Sequence, residues 1–191
     1  DGKRVGVIHF DAHHDMRSGW GQNAGLWVRE IQETTGTPVR GENIVQIGIH
    51  GFSYSVYYRD IVQEMGITVF KPADVRRLGI DAVMAEALDR VADGTDAIFV
   101  SVDIDVVEPP YVPGTNSAAH GGMQPWDVVR AVVLAGQHPL TRALDLMEIA
   151  PPYDANRITS TLGAEISMHF LGALSLRKGA ISAGNQEEAE R

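Results

Sequence analysis

No cysteine occurs in the chain, which excludes disulfides, thiolate nucleophiles and thiolate metal ligands. Neither a run of eighteen apolar residues nor a basic-then-apolar start is present, so no membrane span or export signal is read, and a cytoplasmic address is expected. A concentrated Lys/Arg stripe is also missing. Sixteen Lys and Arg stand against 25 Asp and Glu, giving a formal net charge of -9. That balance argues against a nucleic-acid surface and for cations as partners.

What remains is an ordinary globular composition, with 191 residues of which 44% are apolar and 21% charged, enough for one core. Residues 1–180 are read as one α/β domain and 181–191 (ISAGNQEEAER) as a polar tail. The chain opens at Asp1 without a methionine, a few residues before a strong strand, and a preceding segment is expected.

Strand and helix signals alternate. Val5–Phe10, Ile44–Ile49, Ile67–Phe70, Ala97–Val102 and Ala143–Met147 read as strands. Leu26–Thr34, Ser55–Met65, Ile80–Val91, Trp126–Ala135 and Ile158–Leu176 have helical spacing, and Gly66 is placed to stop the second helix. AIFVSV at 97–102 is the most continuous apolar run, as a central parallel strand requires. The order implies a mostly parallel sheet between helices, a three-layer α-β-α fold with right-handed crossovers. In such sheets ligands gather beyond the carboxyl ends of the strands.

Polar clusters stand at three of those ends: DAHHD after Phe10, DID after Val102, and Glu148 after Met147. Asp11, His13 and Asp15 have period-two spacing, as do Asp103 and Asp105, so strand continuation would put each set on one face. Neighbouring strands would then pool four carboxylates and an imidazole. Such carboxylates repel unless protons or cations intervene. An oxygen-rich set with imidazole and no sulfur suits Mn²⁺ and accepts Fe²⁺, Co²⁺, Ni²⁺ or Zn²⁺, and paired cations could activate water for hydrolysis. The bland alternatives are a capped turn for a lone DxD and a solvated loop for Glu148. Finding three clusters together weighs against both.

These blocks resemble the ureohydrolase superfamily of arginase, agmatinase and formimidoylglutamase over nearly the whole chain. DAHHD is similar to its DAHxD block, SVDIDVVEPPYVPGT at 101–115 to SxDxDxxDPxxxPGT, Gly121–Met123 to the glycine pair that follows, and LDLMEIAPPYD at 144–154 to its glutamate block. The resemblance implies an arginase-like fold and an agmatinase-like amidinohydrolase that cleaves the C–N bond of a small cationic guanidine or amidine through a metal-bridging hydroxide. Asp11, His13, Asp15, Asp103 and Asp105 would be ligands of two Mn²⁺ ions per full-length subunit, Asp11 and Asp103 bridging them, with Ni²⁺, Co²⁺ or Fe²⁺ possible. Glu148 would bind the guanidinium. A trimer or hexamer is implied as well.

The departures carry information too. The family's histidine in a GGDHS block is not in this chain, and Gln22–Leu26 stands where arginase-like members have a proton-shuttling histidine. His120 could substitute as a catalytic proton carrier, or it is an exposed loop residue. His14, on the opposite face by alternation, reads as supporting rather than ligating. His50 reads as a packed or capping histidine, and Tyr54, Tyr57 and Tyr58 as helix packing or site lining. The role of Glu108, which replaces the family's aspartate, stays open. A non-catalytic paralogue serving as a structural or regulatory subunit is the alternative function. A phosphatase or nuclease ranks last, because only Arg17 lies close in sequence to the carboxylates.

Overall fold

The computed structural model describes residues 2–18, 24–33, 39–52 and 55–177. The expected tail 181–191, Tyr54, Thr34 and Gln22–Asn23 lie outside them. Five strands, β1 (Val5–Phe10), β2 (Ile44–Ile47), β3 (Thr68–Phe70), β4 (Ala97–Asp103) and β5 (Thr141–Met147), form one sheet in the order β3-β2-β1-β4-β5. Every pair is parallel. The chain winds from β1 outward to β3, then crosses back to β4, so the strand order reverses between β1 and β4. Ligands of open α/β sheets bind at this kind of crevice.

Helices cover both faces. Ile8 and Phe10 point to the larger core, which they build with Val83, Val91, Val132 and Ile166 of α4 (Ile80–Ala92), α5 (Pro125–Gln137) and α6 (Ile158–Ser175). Val7, on the opposite face, packs with Ile44, Val28 of α1 (Trp27–Glu33) and Val62 of α2 (Val56–Glu64). The alternation of the strand divides its side chains between two cores. Gly6 is required by close approach, because a Cβ there would lie 2.0 Å from the Val91 carbonyl oxygen of α4.

One helix was not legible in the sequence. The α3 segment (Pro72–Leu78) starts with a proline at its first turn, and Asp74 Oδ2 accepts from the Lys71 backbone N–H at 3.0 Å. Seven residues long, it is too short to display a periodic face. No helix among the described residues is long and apolar enough to cross a membrane.

Candidate metal centre

Beyond Phe10 the strand does not continue. Asp15 adopts a left-handed backbone with φ +51°, and Glu148 does the same beyond β5 with φ +62°. Non-glycine residues pay conformational energy there and tend to mark functional sites. At the end of β4, Asp103 Oδ1 accepts the Asp105 backbone N–H at 2.9 Å, opening a 3-10 turn over Ile104–Val106. Asp105 therefore arrives by a turn, not by strand alternation.

The clusters from β1 and β4 do meet. Asp11, His13 and Asp105 each bring a donor atom within 4.8 Å of the others, and so do His9, Asp11 and Asp15. Asp11 belongs to both groups. The His13 Nδ1 lies 3.1 Å from Asp11 Oδ1 and 3.1 Å from Asp105 Oδ2. The Asp105 Oδ2 contact is one of distance only, since that buried oxygen finds no hydrogen bond of good angle. Its partner Oδ1 accepts from the Ala12 N–H at 3.2 Å, stitching the β1 turn to the β4 turn. Asp103 stands outside both groups, though the charges of Asp11, Asp105 and Glu148 act on it.

Protons take up the repulsion between these groups. Burial, with Asp11 and Asp105 alongside, pushes the Asp103 carboxyl up to about 10. Burial and Asp11 push Asp15 up to about 7. The close Asp105 and Asp11 carboxylates raise His13 to about 10. Burial works against ionisation of Asp11, yet His9 and His13 outweigh it and hold that carboxyl well below the usual carboxylate range. A site that retains protons among close, buried oxygens is one that a divalent cation neutralises. The donors, oxygen and imidazole without sulfur, fit such an ion.

His120 sits on an exposed loop with Nδ1 3.4 Å from Glu108 Oε1. Glu108 Oε2 accepts from the backbone N–H groups of Gly121 and Gly122 at 2.8 and 2.6 Å, which gives this residue a structural role. A Cβ at Gly122 would lie 2.8 Å from the Glu108 nitrogen. His50 is buried between the carbonyls of Gly48 and Ala119, at 2.6 and 2.9 Å, in keeping with a packed histidine. His14 Nδ1 meets Gln46 Oε1 at 2.6 Å, a supporting position. Tyr57 is exposed, and Tyr58 packs against the α1/α2 core.

Sequence reasoning missed a polar row behind the clustered carboxylates. Gln46, His9, Ser101 and Asp145 are register partners across β2, β1, β4 and β5. The signal was there: His9 and Ser101 interrupt apolar strands two residues before Asp11 and Asp103, on the same face by alternation. Asp154 was also missed. It caps the last helix, accepting from the Thr159 and Ser160 N–H groups at 2.9 and 2.8 Å.

Carboxylates and imidazoles gathered at the crevice between two central parallel strands define an α/β protein with side-chain groups that could hold a metal ion. Comparison narrows that class, because the arginase family matches over residues 1–172. The chain belongs to the arginase family. It is 35% identical to a formimidoylglutamase of Halalkalibacterium halodurans, over 87% of this chain and 52% of that protein. It is 34% identical to a guanidinopropionase of Pseudomonas aeruginosa, over 90% of this chain and 54% of that one. The crystal structure of formimidoylglutamase from Bacillus subtilis superposes with a TM-score of 0.84 at 29% identity, over 91% of this chain and 54% of that chain. The chain thus spans about half the length of these relatives. Their names lend no support to the agmatinase-like refinement.

Proposed function

We propose that the full protein is a metal-dependent amidinohydrolase acting on a linear guanidine or formimidoyl compound, with this chain supplying most of the metal centre. The convergence of Asp11, His13, Asp15 and Asp105 at the β1/β4 crevice carries the reading. In it, Asp11, His13, Asp15, Asp103 and Asp105 hold two Mn²⁺ ions, with Ni²⁺, Co²⁺ or Fe²⁺ as substitutes. Bound divalent cations supply a water of lowered pKa and offset the carboxylate charge. Glu148, half-buried beside Asp103, offers two oxygens to a planar cationic amidine and orients its carbon toward the centre. His120 passes a proton to the leaving amine. A cytoplasmic location and assembly as a trimer or hexamer rest on the resemblance alone.

Release of urea or formamide is the assay, using metal-loaded full-length protein with arginine, agmatine, guanidinopropionate, guanidinobutyrate and formimidoylglutamate. Turnover of one of them is expected, and turnover of none contradicts the reading. The lack of a histidine at Gln22–Leu26 and the divergent PGTNSAAH loop at 113–120 motivate a second reading, a non-catalytic structural or regulatory subunit. Metal analysis separates the two: about two ions per full-length chain supports catalysis, and none supports the scaffold.

A further inference from the structure

His9 is fully buried, lies two residues before Asp11 and falls within ligand reach of Asp11 and Asp15. It could therefore bind a cation itself or serve a residue that does. Its surroundings decide. The Gln46 amide is fixed from two sides: Nε2 donates to the His14 carbonyl at 2.9 Å, and Oε1 faces His14 Nδ1 at 2.6 Å. Turning the amide over would set oxygen against a carbonyl, an arrangement that the low dielectric of the interior penalises. With the amide so held, the same NH₂ group points to His9 Nδ1 at 3.2 Å. Nδ1 must then accept, which leaves the proton on Nε2.

His9 Nε2 has no hydrogen bond of good angle, and the carboxylate oxygen within ion-pair reach is Asp11 Oδ2 at 2.8 Å. A second proton on the ring would confront the Gln46 donor. Burial and the Gln46 contact oppose charge on His9, while attraction to Asp11 favours it. Trp27 closes over the ring edge-on, with centroids 4.9 Å apart, and fixes its plane. The other Asp11 oxygen, Oδ1, accepts from the His13 backbone N–H at 2.6 Å. Oδ1 is therefore held by a backbone N–H of this chain, and Oδ2 lies against His9 Nε2.

We infer that Gln46 fixes the tautomer of His9 so that it presents an N–H, not a lone pair, to Asp11, making both positioning residues for Asp11 and not metal ligands. The inference rests on Asp11 being a ligand. It deepens the proposed function by giving the buried polar row a task, since partners of this kind orient ligands and tune affinity.

The test uses the purified full chain with ¹⁵N-labelled histidine, His9 being assigned by its loss in His9→Gln. Long-range ¹H–¹⁵N spectra of the metal-free protein are expected to show His9 protonated at Nε2, and protonation at Nδ1 overturns the inference. Mn²⁺ affinity is measured by titration calorimetry for wild type, Gln46→Glu, His9→Gln and His9→Leu. Gln46→Glu should shift the His9 proton to Nδ1 and weaken Mn²⁺ about 10–100-fold. His9→Leu should weaken it similarly. His9→Gln, which retains an N–H near the place of Nε2, should stay within a few-fold of wild type. Equal, severe loss in both His9 variants would mark His9 as a ligand and overturn the inference, as would unchanged affinity in Gln46→Glu. If wild type itself binds no Mn²⁺, the metal-centre reading falls and this one with it. The wild-type spectrum needs only His9→Gln to fold, for the assignment.

Discussion

Asp103→Asn separates the two states of the site. In the metal-free protein at about pH 7.5, Asp103 keeps its proton, because burial and the neighbouring carboxylates push it up to about 10. Asparagine is a neutral near-isostere of that form and keeps an Oδ1 to accept the Asp105 N–H, now 2.9 Å away. The change in metal-free stability should therefore stay within about 1 kcal/mol, the worth of one hydrogen bond. With metal the outcome differs. Mn²⁺ at about 100 times its dissociation constant stabilises wild type by about 2.7 kcal/mol. For a chain of this length that is a Tm rise of about 5–11 °C. Asparagine cannot supply the negative charge, so most of that rise should vanish. Thermal unfolding in EDTA and in MnCl₂ reads both effects. A large loss of stability in EDTA, or an undiminished Mn²⁺-induced rise, would refute the reasoning.

His13→Ala should likewise abolish the Mn²⁺-induced Tm rise. Glu148→Gln should preserve that rise but lower kcat/KM of the active full-length enzyme about 10–100-fold, the range for one charged hydrogen bond; normal turnover would remove Glu148 from substrate binding. For pH, the folded, metal-free protein binds more protons than the unfolded chain wherever Asp15 titrates, between 3.8 unfolded and about 7 folded. Metal-free stability should therefore fall as pH rises through that window, with Asp103 and His13 extending the fall toward about 10. Cations displace those protons, so the Mn²⁺-induced Tm rise should grow from about pH 5.5 to 8.5; a flat increment would contradict the site. Gly6→Ala, with its Cβ 2.0 Å from the Val91 carbonyl, should cost about 3 kcal/mol or prevent folding, and an unchanged Tm would contradict the β1–α4 packing.

Much of the fold was legible because VGVIHF and AIFVSV are mostly apolar runs of the kind a doubly covered parallel sheet requires, and β1 and β4 are adjacent, as pooled acids at their ends require. Local geometry was less legible. Alternation was extended past Phe10 and Asp103, where the chain turns instead, and no period-two rule anticipates the left-handed backbone at Asp15 or the 3-10 turn that delivers Asp105. The Gln46–His9–Ser101–Asp145 row escaped because its members are scattered over four strands and meet only through register. Glu108 had no readable role until its carboxylate was seen to hold the Gly121 and Gly122 amides.

The most direct measurement is diffraction at the manganese absorption edge from crystals grown with MnCl₂. Anomalous density within coordination distance of Asp11, His13 and Asp105 is predicted. Its absence there at saturating Mn²⁺, or a peak confined to surface carboxylates elsewhere, would contradict the account.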